Sequence, residues 1–104
     1  MARPLSETAS RDNAAMLALF GERHTVEGKA VTLDTDSDKL AELQGGQAAG
    51  VAGSTLLFFA KVEDLPPRKA PGSALNVDGR EYTVDSWGES YGMAQVALSQ
   101  PRTI

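Results

Sequence analysis

Apolar and polar residues alternate with a period of two over several stretches of the chain, and this pattern predicts β-strands. In "KAVTLDT", residues 29–35, Val31 and Leu33 alternate with more polar neighbours. The stretch "MAQVALS", residues 93–99, shows the same alternation. "TLLFFAKV", residues 55–62, is apolar almost throughout, which is typical of a strand that is covered on both faces or of one that joins a core to an interface.

The stretch "LNVDGREYTV", residues 75–84, predicts a β-hairpin. Asp-Gly favours the positive φ angles of a type I′ turn, so a two-residue turn would pair Val77 with Arg80 and Leu75 with Tyr82. The side chains predicted to share the core face are Leu75, Val77, Tyr82 and Val84. Glu27-Gly28 predicts a second hairpin, which brings "HTVE" and "KAVTLDT" together.

Other segments predict a helix, turns and loops. Residues 10–21 have a helical pattern with Ser10 as a candidate N-cap, and "DSDKLAELQ" predicts a turn or a short helix. The glycine-rich segment 45–54 predicts a flexible loop, and the three prolines of "EDLPPRKAPG" predict a turn. "GESYG" predicts a further turn.

Together these elements predict a mainly β fold in one domain. We expect a flexible N-terminal arm over residues 1–9 and a single domain over residues 10–104. The domain should be a small β-barrel or sandwich of about five to seven antiparallel strands, with one N-terminal helix and a flexible glycine-rich loop.

Composition and charge narrow the possible functions. The 104 residues include no cysteine, which excludes disulfides, thiolate metal sites and cysteine nucleophiles. A net charge of -4 argues against tight nucleic-acid binding, although an acidic wall lets DNA pass without sticking. No apolar run has the length of a membrane span, so we expect a soluble protein made in the cytoplasm.

The candidate chemical motifs are all incomplete. His24, the single histidine, has no local catalytic partner motif. Asp34, Asp36 and Asp38 have the spacing of the first calcium ligands of an EF-hand, but Lys39 and Gly45 stand where that loop needs glycine and glutamate. Gly45 and Gly50 are spaced like the glycines of a P-loop, yet Val51 and Ala52 replace its lysine and its serine or threonine. We therefore expect no catalytic residue, metal site or cofactor.

Several residues are candidates for contacts with partners or with a channel. Trp87 and Tyr91 are either an exposed aromatic anchor or part of the edge of the core. The remaining candidates are the basic residues Arg3, Arg11, Arg68 and Lys69 and the loop residues Gly45, Gly46, Gln47, Gly50 and Gly53.

The order of these parts resembles the small head-tail attachment proteins of long-tailed bacteriophages. The similarity covers residues 12–99, from the predicted helix that ends in "LFGE" to the last strand. The residues that carry it are Leu65, Pro66, Pro71, Gly72, Val77, Asp78, Gly79, Tyr82, Thr83 and Val84. Ser73 departs from the pattern, because the family often has an acidic residue there.

The resemblance implies a structural protein of the virion that catalyses no reaction. It would form a ring of six copies in the phage neck, between the portal-side adaptor and the tail, where it closes the DNA exit and provides the docking surface for the tail. DNA would pass through the ring without sequence-specific binding. Two alternatives remain: a tail terminator or another ring at the end of the tail tube, and a cytoplasmic barrel that binds a ligand or peptide through Trp87 and Tyr91.

Overall fold

The described residues form an antiparallel β-barrel, as the sequence predicted. The computed structural model describes residues 21–45, 51 and 53–100. In these residues the strands are β1 (Glu22–Val26), β2 (Lys29–Thr35), β3 (Leu56–Lys61), β4 (Ala74–Val77), β5 (Arg80–Ser90) and β6 (Met93–Ser99). Helix α1 (Ser37–Gly45) follows β2, and a short 3-10 helix (Val62–Asp64) follows β3. The barrel closes in the order β1-β2-β3-β6-β5-β4.

Both predicted hairpins are present with the expected register. Val77 pairs with Arg80 and Leu75 with Tyr82, and both Asp78 and Gly79 have positive φ angles, of 55° and 80°. Glu27 and Gly28 make the equivalent turn between β1 and β2. An aspartate tolerates this backbone better than most residues with a side chain, and glycine adopts it without cost, so the two-residue turns are locally encoded.

The barrel interior is filled by the residues that alternate inward. Phe58 and Trp87 are its largest members, and Leu75, Val77 and Val84 are buried with them as the hairpin predicted. Tyr82 is half-buried against the same core. The other members are Val26, Val31, Leu33, Ala60, Ala94, Val96 and Leu98.

The structure decides one prediction that the sequence left open and corrects another. Of the turn or short helix predicted for "DSDKLAELQ", the structure confirms the short helix, which has nine residues. Asp36 caps this helix: its Oδ1 accepts a hydrogen bond from the Lys39 N–H at 2.8 Å. "GESYG" is mostly strand, since β5 continues to Ser90 and the turn is confined to Tyr91 and Gly92. The predicted arm and N-terminal helix lie outside the described residues, as does most of the glycine-rich loop.

The barrel closes between β1 and β4 through few backbone contacts. Val26 and Val77 are the one ladder pair, flanked by hydrogen bonds from Glu27 N–H to Asn76 O (2.9 Å) and from Asp78 N–H to Thr25 O (2.8 Å). The Asp78 carboxylate reinforces this junction, with Oδ2 2.6 Å from His24 Nδ1 and Oδ1 accepting from the Thr25 N–H at 2.9 Å. Asp78, in the turn between β4 and β5, therefore fixes the position of the hairpin formed by β1 and β2.

These contacts make the stability of the junction depend on pH. The hydrogen bond with His24, followed by that from the Thr25 N–H, lowers the pKa of the Asp78 carboxyl. The Asp78 carboxyl binds a proton less tightly in the folded protein than in the unfolded chain. Its stabilising effect is therefore fully present when the pH is above the pKa that Asp78 has in the unfolded chain. It is lost as the pH falls through the folded pKa.

We predict that Asp78→Asn lowers the free energy of unfolding by about 1 kcal/mol at neutral pH, because it removes the charge from the bond to His24. Asparagine tolerates the positive φ angle, so the turn itself should survive. Thermal unfolding from pH 7 to pH 2 measures the effect, and the variant should lose less stability than wild type in acid. Glu81→Gln, at an exposed position on β5, is the control. Identical acid profiles for wild type and Asp78→Asn would contradict the role given to Asp78.

Candidate functional site: an acidic groove outside the barrel

A row of paired residues crosses four strands on the outer face of the barrel. Asp34 on β2 pairs with Phe59 on β3, Phe59 pairs with Gln95 on β6, and Gln95 pairs with Gly88 on β5. Strands far apart in the sequence thus bring a carboxylate, an aromatic ring, an amide and a glycine into one line.

This row forms the floor of an open groove of about 480 Å³. We call it the acidic groove. Its lining residues are Asp34, Asp36, Phe59, Gly88, Glu89, Ser90, Tyr91, Met93, Ala94 and Gln95. The lining combines three carboxylates with aromatic and aliphatic side chains, which suits a partner that is both cationic and apolar.

A β-bulge in β5 determines which residues reach the groove. The register shifts between Val84 and Ser86, so that Val84 and Trp87 both face the core although they are three residues apart. Gly88 consequently lies on the outer face, where a Cβ atom would meet nothing within 4 Å. Without the bulge, strict alternation would reverse the directions of Trp87 and Gly88.

The bulged residue, Asp85, is held by two hydroxyl groups. Ser54 Oγ donates to Asp85 Oδ2 at 2.6 Å, and Ser99 Oγ donates to Asp85 Oδ1 at 3.0 Å. Ser54 is the buried polar residue at the end of the glycine-rich segment. Its carbonyl accepts from Gln44 Nε2 at 2.9 Å, which ties the end of α1 to the same place.

Helix α1 covers the outer face immediately beside the groove. Leu40 packs on Leu57 and Ala97 together with Val51, in a second small core outside the barrel. Phe59 packs at the edge of this cluster and also lines the groove. The groove therefore continues an outer apolar surface that the helix covers in part, and no described element covers the groove itself.

The charge of the groove is not balanced within the described part of the chain. Asp34, Asp36 and Glu89 form no ion pair with any described residue. Partial burial, and then the negative charge of Asp36, raise the pKa of the Asp34 carboxyl. A cation that entered the groove would relieve this unfavourable electrostatic environment.

Tyr91 is the exposed aromatic residue at the rim of the groove. It occupies the turn between β5 and β6 with a φ angle of 52°, and 49% of its surface is accessible. A large exposed aromatic side chain beside a groove is typical of a contact residue. Trp87, by contrast, is 4% exposed and belongs to the core, which agrees with the core alternative and not with an exposed anchor.

The structure places Arg68 and Lys69, the two described basic candidates, outside the groove lining. Lys69 Nζ donates to Glu27 Oε1 and to the Ala74 carbonyl, both at 2.8 Å, while Arg68 beside it is exposed. Gly45 ends α1 and Gly53 is exposed. Arg3, Arg11, Gly46, Gln47 and Gly50 lie outside the described residues.

The other residues that carry the resemblance to head-tail attachment proteins lie in the connection between the 3-10 helix and β4. Leu65 packs against the core as the chain leaves the 3-10 helix, followed by half-buried Pro66. Pro71 is exposed, and Gly72 takes a φ angle of 93° while its N–H donates to the Val84 carbonyl at 2.7 Å. The chain is thereby returned to the start of β4.

The three aspartates with EF-hand spacing do not act together. Asp34 and Asp36 line the groove, whereas Asp38 lies in the first turn of α1. Among the described residues, no group of three histidine, aspartate or glutamate side chains could hold a metal ion. The sequence does not predict Phe59, Gly88, Glu89 or Gln95 as site residues, because only the strand order brings them together.

Comparison with known proteins establishes the fold alone. No family model matches the chain, and no curated protein matches it. A similar solved structure is the crystal structure of the ATP-binding sugar transporter-like protein from Salmonella typhimurium, with a TM-score of 0.54 and 20% identity. The similarity covers 91% of this chain and 90% of that chain. No helix within the described segments is long and apolar enough to cross a membrane.

We predict that Asp85→Ala lowers the free energy of unfolding by about 1–3 kcal/mol, because two hydroxyl groups lose their acceptor. Urea unfolding measures the loss. Glu81→Ala, an exposed change on the same strand, should shift stability by no more than about 0.5 kcal/mol. Equal effects of the two substitutions would show that the contacts of Asp85 do not support the bulge.

Proposed function

We propose that this protein is a structural subunit of the neck of a long-tailed bacteriophage. Six copies would form a ring between the portal-side adaptor and the tail, close the DNA exit and offer a docking surface to the tail. The observation that carries the proposal is the acidic groove, a surface suited to protein contacts on a barrel whose ordered motifs resemble head-tail attachment proteins. The role consists of binding and assembly, with no catalytic step.

The packing of the barrel is compatible with the proposed ring of several copies. The barrel interior is filled by buried side chains, including Phe58 and Trp87. A small barrel with a filled core has no lumen for DNA, so a DNA channel must lie between copies. Each copy in a cyclic ring presents two different surfaces to its neighbours, and the groove is suited to be one of them.

The acidic charge is compatible with DNA that moves without being retained. At neutral pH the chain carries a net charge of -4. A negatively charged wall repels phosphate groups and releases no counterions on contact, so affinity for passing DNA stays low.

The proposal predicts a defined assembly defect when the chain is missing. Particles produced without it should accumulate as separate heads and tails of normal length, and the wild-type chain supplied in trans should restore joined virions. Electron microscopy of the lysate measures both. If joined virions form without the chain, the proposal is wrong. Tails of abnormal length, with heads otherwise normal, would favour a tail terminator instead.

A ligand-binding barrel is the second candidate, because the groove volume of about 480 Å³ lies within the range of small-molecule sites. A metabolite that binds there should raise the melting temperature by mass action. Thermal-shift screening of metabolite pools with wild type and Gly88→Val tests whether the groove binds a small molecule. A shift that the groove-filling valine abolishes would support the ligand-binding barrel, whereas no shift with any pool would remove it.

A further inference from the structure

The acidic groove has the chemistry of a site for a cationic, proline-containing segment. Phe59 and Tyr91 provide aromatic surface, and Asp34, Asp36 and Glu89 provide negative charge. Proline-rich segments bind grooves lined by aromatic residues, because their extended backbone is already ordered before binding. Neighbouring carboxylates add selectivity for arginine or lysine within such a segment.

A segment of matching chemistry is present on the same chain. Residues 66–71, "PPRKAP", join the 3-10 helix to β4, and we call them the proline segment. Pro67, Arg68, Ala70 and Pro71 are exposed. Proline fixes its own φ angle and favours an extended conformation in the residue before it, so the segment has few alternative conformations.

Contacts within the fold order the proline segment further. Lys69 is bound to Glu27 and to the Ala74 carbonyl, and the Ser73 N–H donates to the Ala70 carbonyl at 3.1 Å. The neighbouring Arg68 forms no ion pair with any described residue. An ordered segment with a free cation loses little entropy on binding.

A protein molecule cannot place this segment in its own groove. Lys69 is tied to Glu27, at the turn that precedes β2, whereas Asp34 lies near the other end of β2. Lys29 and Asp34, five residues apart on that strand, are separated by about 17 Å. The two surfaces are therefore free to meet only between different copies, and a contact between two different surfaces generates a ring when its rotation closes.

We propose that the acidic groove binds the proline segment of a second copy of this chain, with Arg68 facing Asp34 and Glu89. The inference rests on the proposed ring and names the two surfaces that would join its subunits.

A peptide with the sequence of residues 65–72, "LPPRKAPG", tests the contact directly. Labelled peptide should bind wild-type protein with a saturable change in fluorescence anisotropy below about 1 mM. Asp34→Asn should weaken binding about fivefold, and Tyr91→Ala about tenfold. The neutral asparagine should be tolerated by the fold, because the groove already disfavours the charge of Asp34. No saturation by about 2 mM would overturn the inference.

Control variants separate groove binding from attraction to an acidic surface. Gly88→Val places a side chain where the structure has open space, at a position without a positive φ angle, so it should block the groove and leave the fold intact. Glu81→Gln removes one exposed negative charge away from the groove and should leave affinity unchanged. If Glu81→Gln weakens binding as much as Asp34→Asn does, the contact is nonspecific and the inference is wrong.

A charge exchange gives an independent measurement. A peptide carrying Arg68→Glu should bind wild-type protein at least fivefold more weakly than the unchanged peptide, and should recover affinity for protein carrying Asp34→Lys. Failure of that recovery, with Asp34→Lys folded as judged by its melting temperature, would contradict the pairing. A failure of the peptide-binding tests would leave the proposed neck function standing. A chain required for joining heads to tails but unable to bind the peptide would keep its neck role and lose this interface.

Discussion

The β-bulge at Asp85 is the constraint on which the candidate site depends. Ser54 and Ser99 hold the Asp85 carboxylate, and the bulge turns Trp87 into the core and Gly88 outward. An inward Trp87 fills the barrel, and an outward glycine keeps the floor of the groove open. One extra residue in one strand therefore determines both the packing of the interior and the shape of the outer surface.

The charged residues of the described chain divide into paired and unpaired groups. Near the junction of β1 and β4, Asp78 binds His24 and Glu27 binds Lys69, so these charges stabilise the fold. Across the barrel, Asp34 and Glu89 line the groove and form no ion pair with any described residue. Unpaired charge that is partly desolvated becomes more favourable when a cation binds beside it, which is why we propose the groove as a surface for a partner.

Local sequence patterns predicted most of the fold. The alternation around Val31 and Leu33, and the turns at Glu27-Gly28 and Asp78-Gly79, depend on interactions between near neighbours, and the structure confirmed them. The capped helix after Asp36 was only partly predicted, because much of its stability comes from packing Leu40 on β3 and β6.

The site could not be predicted in the same way. Asp34, Phe59, Gln95 and Gly88 meet only because β6 lies between β3 and β5, and this strand order follows from the closure of the whole barrel. The bulge also breaks the alternation that assigns side chains to faces, so the direction of Trp87 was undetermined by periodicity. Gly88, a glycine within a strand, was the one local signal of an irregular position.

We propose that the acidic groove is a contact surface between protein chains in an assembled phage neck. A reconstruction of the head-tail junction at side-chain resolution tests it most directly. We expect Asp34, Phe59 and Tyr91 to be buried against another protein chain, with a basic side chain next to the carboxylates. A ring of this protein in which the groove faces open solvent would contradict the claim.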